Sequence, residues 1–370
     1  MKYKKFKDGI ELSRLGMGAM RLPVLNGNDA CIDYERAKGL IDLCMEQGVN
    51  YYDTAYIYHG GKSEEFLGKT LAEYPRESFY VTDKYNFQAE PDYRKQFDEQ
   101  LKRFGMDRID FYLLHGIQDH FAKEIVQNGC IEYFDKMKQK GKIRYLGFSF
   151  HGTPKMLKDL LKLYPWDFVQ IQLNYYDWYF QDAKELYEIL EEAGIPVMVM
   201  EPVHGGLLAN LTEDAAKKLR GEDQKSSLAS WAMRWVMSLP NVQVVLSGMS
   251  DENQVMDNIK TFSEAKPLTE EEQDRIEKAA GLQHASVAVA CTGCRYCAPN
   301  CPQGLEIPFL LKNYNEAKIG GAWRISHLKK LPEKKKPSAC IGCGACTNHC
   351  PQSFAIPEYL KEMSKMLEEI

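Results

Sequence analysis

The chain has 370 residues, of which 44% are hydrophobic and 27% charged, with a formal net charge of −5. That is the make-up of an ordinary globular protein long enough for one large domain and one small one, and no broad basic field points to nucleic acid. No apolar run approaches the roughly eighteen residues of a membrane span, and the start, MKYKKFKDG, lacks the apolar stretch of a secretory signal; the expectation is a cytoplasmic protein with neither membrane nor nucleic-acid partners.

In chain order, Tyr3 to Phe6 and Glu11 to Arg14 flank Asp8-Gly9, a turn pair that predicts a hairpin over about 3–14, suited to plugging the bottom of a barrel. From Leu15 to about Phe262, short β-rich runs alternate with amphipathic helical stretches, the pattern of parallel βαβ units. The strand runs are Leu15 to Ala19, Val49 to Asp53, Phe79 to Lys84, Ile109 to His115, Tyr145 to Ser149, Phe168 to Gln172, Val197 to Glu201 and Val242 to Ser247. A helical stretch follows each: Asp33 to Gln47, Ser63 to Glu73, Tyr93 to Phe104, Ile131 to Lys140, Pro154 to Leu163, Ala183 to Ala193, Ser227 to Ser238 and Glu252 to Phe262. Eight such repeats in about 250 residues predict an α/β fold, the (β/α)8 TIM barrel. Thr269-Glu-Glu-Glu272 then has the capping-box pattern and opens one more helix, ending near Gly281. The barrel is therefore expected over 1–282, and a small α+β domain over 283–370.

The second segment carries two runs, Cys291-Thr-Gly-Cys294-Arg-Tyr-Cys297-Ala-Pro-Asn-Cys301-Pro302 and Cys340-Ile-Gly-Cys343-Gly-Ala-Cys346-Thr-Asn-His-Cys350-Pro351. Both read C-x2-C-x2-C-x3-C-P, and they use eight of the eleven cysteines. Three cysteines at every third position wrap a tight loop around one metal centre, and Gly293, Gly342 and Gly344 let the backbone come close. Zinc sites favour paired cysteines with a histidine or a second pair, and disulfides are rare in reducing cytosol. The spacing resembles that of two-cluster bacterial ferredoxins, in which the fourth cysteine ligates the other cluster. The resemblance implies a ferredoxin-like domain with one [4Fe-4S] cluster on Cys291, Cys294, Cys297 and Cys350 and a second on Cys340, Cys343, Cys346 and Cys301. Cys31, Cys44 and Cys130 read as packing residues. The basic run Lys329, Lys330, Lys334, Lys335 and Lys336 between the motifs reads as solvated surface, or as a docking patch for an acidic redox partner protein.

Active sites of TIM barrels lie at the C-terminal ends of the strands. Polar groups recur there: Asp53 after the second strand, Lys84 after the third, His115 after the fourth, Ser149 after the fifth, Gln170 and Asn174 at the sixth. In this setting Asp53-Thr-Ala-Tyr-Ile-Tyr58-His-Gly-Gly-Lys-Ser63-Glu64, Thr82-Asp-Lys84, Asp110-Phe-Tyr-Leu-Leu-His115 and Gly141-Lys-Ile-Arg-Tyr-Leu-Gly147-Phe-Ser149 resemble the aldo-keto reductases over the whole barrel. The resemblance puts that family's tetrad on Asp53, Tyr58, Lys84 and His115. The four are chemically coherent, because reducing a carbonyl needs a hydride on carbon and a proton on the developing alkoxide. Tyr58 is the proton donor of this reading; a phenol with an ordinary pKa of about 10 is sluggish at neutral pH, and an adjacent ammonium brings it down. Lys84 supplies that charge, Asp53 pairs with Lys84, and His115 donates a hydrogen bond to the substrate carbonyl.

The resemblance also implies a nicotinamide cofactor across the barrel mouth without a Rossmann glycine loop. Ser149, Gln170 and Asn174 match positions that hold the carboxamide, and Met200 stands where many relatives stack an aromatic ring. Pro202, Gly205, Gly206 and Leu207 fall in the loop matching the pyrophosphate wrap, and Ser247, Gly248, Met249, Gln254, Asp257 and Asn258 in the adenosine turn and helix start. Many NADP-dependent relatives carry a Lys and an Arg where this chain has Gly248 and Gln254, and a phosphate dianion without basic partners binds poorly, so NADH is favoured over NADPH. His151 replaces an Asn usual in the better-known branch.

The expected activity is an NAD(P)H-dependent oxidoreductase interconverting a small-molecule carbonyl and an alcohol, with two clusters for electron transfer. Two alternatives stay open: an electron-transfer or redox-sensing protein whose barrel binds nicotinamide, and a self-sufficient reductase with purely structural clusters.

Overall fold

The computed structural model of the chain describes residues 1–223, 225–264 and 266–369. It divides into two compact units, Met1–Val203 with Lys225–Gln273, and His204–Gln224 with Asp274–Ile370. The loop after the seventh barrel strand thus packs with the cysteine-rich segment, and the second unit begins before residue 282.

The first unit opens with an antiparallel hairpin of β1 (Tyr3–Lys5) and β2 (Glu11–Ser13), reversed at Asp8 and Gly9, both at positive φ. Eight parallel strands follow: β3 (Leu15–Gly18), β4 (Tyr51–Asp53), β5 (Tyr80–Tyr85), β6 (Ile109–Ile117), β7 (Ile143–Phe150), β8 (Phe168–Gln172), β9 (Val197–Met200) and β10 (Val242–Ser247). Each pairs with its neighbour, and β10 returns to β3 to close the barrel. Helices cover the outside, so both faces of a strand such as β6 are buried and its residues run almost continuously apolar.

The outer helices are α1 (Tyr34–Glu46), α2 (Ser63–Leu71), α3 (Tyr93–Phe104), α4 (Asp119–Gln127), α5 (Cys130–Gln139), α6 (Pro154–Leu161), α7 (Tyr175–Phe180) and α8 (Ala183–Glu192). Several start where the side chain before them can accept an orphan backbone N–H: Asp33 from Arg36, Asp92 from Arg94 and Lys95, and Thr153 from Met156. Two of these outer helices exceed the eight expected repeats, and a third unexpected helix, Glu213–Arg220, follows the seventh barrel strand. α4 is inserted between β6 and α5, and α7 forms because the Asn174 side chain caps its first turn through Asp177 N.

The parallel register brings Asp53 beside Thr82, Lys84 beside Leu113 and Ser149 beside Gln170, so their polar side chains gather at the C-terminal ends of neighbouring strands. At the opposite end the hairpin closes the barrel. Phe6 inserts among inward-facing residues, its ring centroid 5.5 Å from that of Phe111 and 5.0 Å from Tyr145. Leu12, Tyr51, Leu113, Phe168, Met198, Val244 and Leu246 complete this bottom core.

The second unit includes α9 (Glu213–Arg220), whereas α10 (Leu228–Ser238) and α11 (Glu252–Glu264) complete the first; most of α12 (Glu270–Ala285), then α13 (Ile307–Gly320), α14 (Ala345–Asn348) and α15 (Ile356–Glu368), belong to the second. Its own core joins Leu305, Ile307, Leu310 and Leu311 to Ile325, Leu328, Leu360 and Met363. Its described residues form helices, tight turns and loops with no β-strand, so the likeness to a ferredoxin rests on the cysteine loops. No helix among the described residues is long and apolar enough to cross a membrane.

Replacing Phe6 with Ala removes the ring that fills the barrel bottom. It should lower stability by about 3 kcal/mol or more, the usual cost of deleting a buried Phe, read as a lower urea midpoint for the barrel's unfolding transition.

Candidate active site and cluster pockets

At the C-terminal ends of β4, β5 and β6 the structure brings Asp53, Tyr58, Lys84 and His115 together. The Lys84 side chain is fully buried, its Nζ donating to Asp53 Oδ1 at 2.6 Å and to the Thr54 carbonyl at 2.5 Å. The same ammonium lies 5.1 Å from the Tyr58 ring centroid, and the Tyr58 and His115 rings stand edge to face at 6.0 Å. Tyr58 reaches the site from the tight turn Tyr58–Gly61, where His59 and Gly60 both hold positive φ. Burial pushes the Asp53 carboxyl up, against the pull of Lys84. Burial, followed by the charges of Lys84 and His151, holds the His115 imidazole well below its usual range, so it is neutral.

Behind this cluster a second buried layer fixes β5. Lys84 N donates to Asp83 Oδ1 at 2.8 Å, and Gln100 Nε2 donates to Asp83 Oδ2 at 2.6 Å, Glu64 Oε1 at 3.1 Å and the Lys84 carbonyl at 3.1 Å. Arg103 pairs with Glu64 at 2.6 Å, and Tyr112 donates to Gln100 Oε1 at 2.6 Å. Burial, then the charge of Glu64, pushes the Asp83 carboxyl well above its ordinary range.

The residues expected around a nicotinamide are placed unevenly. Gln170 sits in the middle of β8 with Nε2 against Met200 Sδ at 3.6 Å and with a buried Oε1 that has no hydrogen-bond partner. A buried orphan acceptor fits the N–H of a carboxamide. Ser149 Oγ accepts the Gly116 N–H at 2.6 Å. Asn174, by contrast, is committed to the fold: Nδ2 donates to Asp177 Oδ2 and the Glu201 carbonyl, while Oδ1 accepts Asp177 N. Pro202 is in the turn after β9, where Glu201 has positive φ. After β10, Asn258 donates to Ser247 Oγ at 3.0 Å, Gln254 accepts from Ser250 N, Asp257 accepts from Ser227, and Met249 is buried. Gly248 lies along the stem of Arg21, whose guanidinium is 3.9 Å from Glu201. Gly205, Gly206 and Leu207 belong to the second unit, where a Cβ at Gly205 would meet the Thr292 carbonyl at 1.9 Å; with φ at +62°, only glycine fits.

Cysteines line two pockets among the described residues of the second unit. One is lined by Cys301, Cys340, Cys343 and Cys346; the other by Cys291, Cys294, Cys297 and Cys350. Each therefore takes three cysteines from one run and the fourth from the other. The backbone repeats as well: Gly293 and Gly342, each preceding the second cysteine of its run, have φ of +65° and +69°. Burial and the nearby sulfurs of Cys294, Cys350 and Cys291 push the Cys297 thiol far up, a penalty on thiolate that bound iron would relieve. Cys44 and Cys130 are buried as expected of packing residues, with thiols pushed up to about 12 by burial, but Cys31 is exposed and accepts from Asn28 Nδ2.

The Aldo/keto reductase family profile matches residues 14–280. The chain belongs to this family. A 4Fe-4S dicluster domain profile matches residues 290–355 of the same aldo-keto reductase. The uncharacterized oxidoreductase YqkF of Bacillus subtilis (strain 168) is 26% identical over 297 residues, 71% of this chain and 91% of its own. L-galactose dehydrogenase of Arabidopsis thaliana is 28% identical over 300 residues, 74% of this chain and 92% of its own. Among solved structures, the holo form of aldo-keto reductase AKR11C1 from Bacillus halodurans aligns with a TM-score of 0.63 at 30% identity, covering 75% of this chain and 96% of its own.

Two side chains of this aldo-keto reductase escaped the motif reading. Asn86, two residues past Lys84, has Nδ2 at 3.3 Å from His115 Nδ1, and Arg21 reaches Gly248 from a loop distant in sequence. Only the position of Asn86, in step with Lys84 at a strand end, held a signal.

Burial pushes the His151 imidazole down to about 4, opposed by Asp177. The unfolded chain binds a proton at His151 below its ordinary pKa of about 6.5, whereas the folded protein resists until about 4. Folding stability should therefore be lost as the pH is lowered from about 6.5 towards about 4. The His151 proton resonance should titrate near the lower value in the native protein; a midpoint near that of a free histidine would contradict this.

Proposed function

We propose that this aldo-keto reductase interconverts a small-molecule carbonyl and an alcohol at the mouth of its barrel. The observation that carries the reading is the buried Lys84–Asp53 pair with Tyr58 above it and neutral His115 alongside. A nicotinamide bound at the mouth would supply the hydride. Lys84 stabilises the phenolate that Tyr58 leaves on giving its proton to the substrate oxygen, and Asp53 keeps Lys84 charged and in place. His115 donates a hydrogen bond that orients the carbonyl and stabilises charge on its oxygen as it develops. Gln170, with its orphan acceptor, and Ser149 are the candidates to hold the carboxamide. The lack of a basic pair at Gly248 and Gln254 supports NADH over NADPH, with Arg21 the nearby cation that tempers this. Comparing kcat/KM for the two cofactors decides between them.

The cysteine cavities support crossed ligation, with one [4Fe-4S] cluster on Cys291, Cys294, Cys297 and Cys350 and the other on Cys340, Cys343, Cys346 and Cys301. Clusters held there would supply single-electron transfer. A specific observation favours exchange with an acidic redox partner over a purely structural part: Cys343 is exposed, Ile341 beside it is 63% exposed, and Lys335 Nζ reaches the Gly304 carbonyl at 2.5 Å, bringing the lysine run to the cavity rim. Thiolate-bound clusters fit a reducing, cytoplasmic setting.

Tyr58→Phe should lower kcat for carbonyl reduction by about 100-fold or more, the usual range for losing a general acid, while NADH binding measured by fluorescence is retained. Full activity in that variant would discard the reading. Cys301→Ser and Cys346→Ser should perturb one and the same EPR signal, and Cys350→Ser the other; loss within each contiguous run instead would refute the crossing.

A further inference from the structure

We propose that Asn86 is a positioning residue that holds His115 as the Nε2-protonated tautomer and so decides which imidazole nitrogen offers a proton to the substrate. The proposal rests on the carbonyl-reducing reading above. Asn86 Nδ2 lies 3.3 Å from His115 Nδ1, and the amide cannot turn around, because its Oδ1 accepts the Ala89 N–H at 2.9 Å. The end facing the imidazole is therefore the donor. A neutral imidazole has one donor and one acceptor nitrogen, so a donor opposite Nδ1 leaves the proton on Nε2.

The support behind Asn86 is rigid. Its N–H donates to Gln96 Oε1 at 2.6 Å, and its carbonyl accepts from Gln96 Nε2 at 3.0 Å and from Glu90 N at 3.2 Å. Gln96 is buried and makes a third bond, to the Glu90 carbonyl at 2.9 Å. A short loop after β5 is thus locked around one side chain, and that side chain addresses the histidine of β6. The titratable groups facing His115 are Tyr58, Lys84 with its partner Asp53, and His151 from the end of β7. Lys84 and burial both oppose a second proton on the ring, so the tautomer, and not the charge, is what remains to be set. Where a histidine binds a metal, removing the group that orients its other nitrogen typically costs about 10- to 100-fold, and the same scale is expected here.

Asn86→Asp is nearly isosteric and can keep the Ala89 bond, but it places a carboxylate against Nδ1. The expected result is a proton drawn to Nδ1, a kcat/KM lowered about 10- to 100-fold, and an acid limb of the pH profile moved upward, since an adjacent anion raises a histidine pKa. A merely structural Asn86 would move stability and leave the pH profile alone. Long-range 1H–15N spectra of the full-length protein labelled with 15N-histidine, assigned with His115→Gln, report the tautomer directly and need no turnover. Wild-type His115 should show a protonated Nε2 and a bare Nδ1. A protonated Nδ1 in the wild type overturns the proposal, as does an unchanged tautomer and pH profile in Asn86→Asp. The expected spectra in a protein that reduces no carbonyl would uphold the positioning of His115 and sink the functional reading instead.

Discussion

A fully buried ammonium at the end of a barrel strand constrains everything around it. Lys84 has left water entirely, and such a charge persists only with an opposing carboxylate and good hydrogen bonds. Asp53 and the Thr54 carbonyl supply them, at the cost of burying a carboxylate whose own environment urges it to take up a proton. The positive charge then reaches its neighbours: it lies against the Tyr58 ring and opposes a second proton on His115. One desolvated ion pair thereby couples the strand ends of β4, β5 and β6 electrically as well as sterically.

The layer behind the pair is as much a part of it. Lys84 is tethered through its backbone to Asp83, and Gln100 bridges Asp83, Glu64 and the Lys84 carbonyl from helix α3. Arg103, one turn further along the same helix, neutralises Glu64. Such networks are worthwhile only when every member is satisfied, so the position of the lysine depends on α2 and α3 packing correctly against β5.

The barrel was legible because its parallel strands are buried on both faces and its helices carry capping residues at their starts. The four clustered side chains were legible from family spacing, and the cysteine loops from their own repeat. What the chain did not disclose locally was partnership across it. Asn86 becomes notable only once β6 brings His115 beside it, and Arg21 only once β10 brings Gly248 alongside. Asn174 shows the converse: its place at a strand end suggested a ligand contact, yet its whole amide is spent capping α7 and tying down Glu201. The loop from His204 likewise reads as barrel by sequence order, while Gly205 packs on the Thr292 carbonyl of the cysteine-rich unit.

The crossing of cysteines between the two cavities bears on how the protein is made. The cavity founded on Cys291, Cys294 and Cys297 is not closed until Cys350 arrives, and the one that uses Cys301 waits for Cys340, Cys343 and Cys346. If iron is held as these linings suggest, a nascent chain that has emerged as far as the first motif offers only an incomplete set of thiols. The barrel, whose last strand ends at Ser247, is by then fully synthesised. Were clusters held so, neither set of four thiols would be complete until the second motif had followed the barrel out of the ribosome.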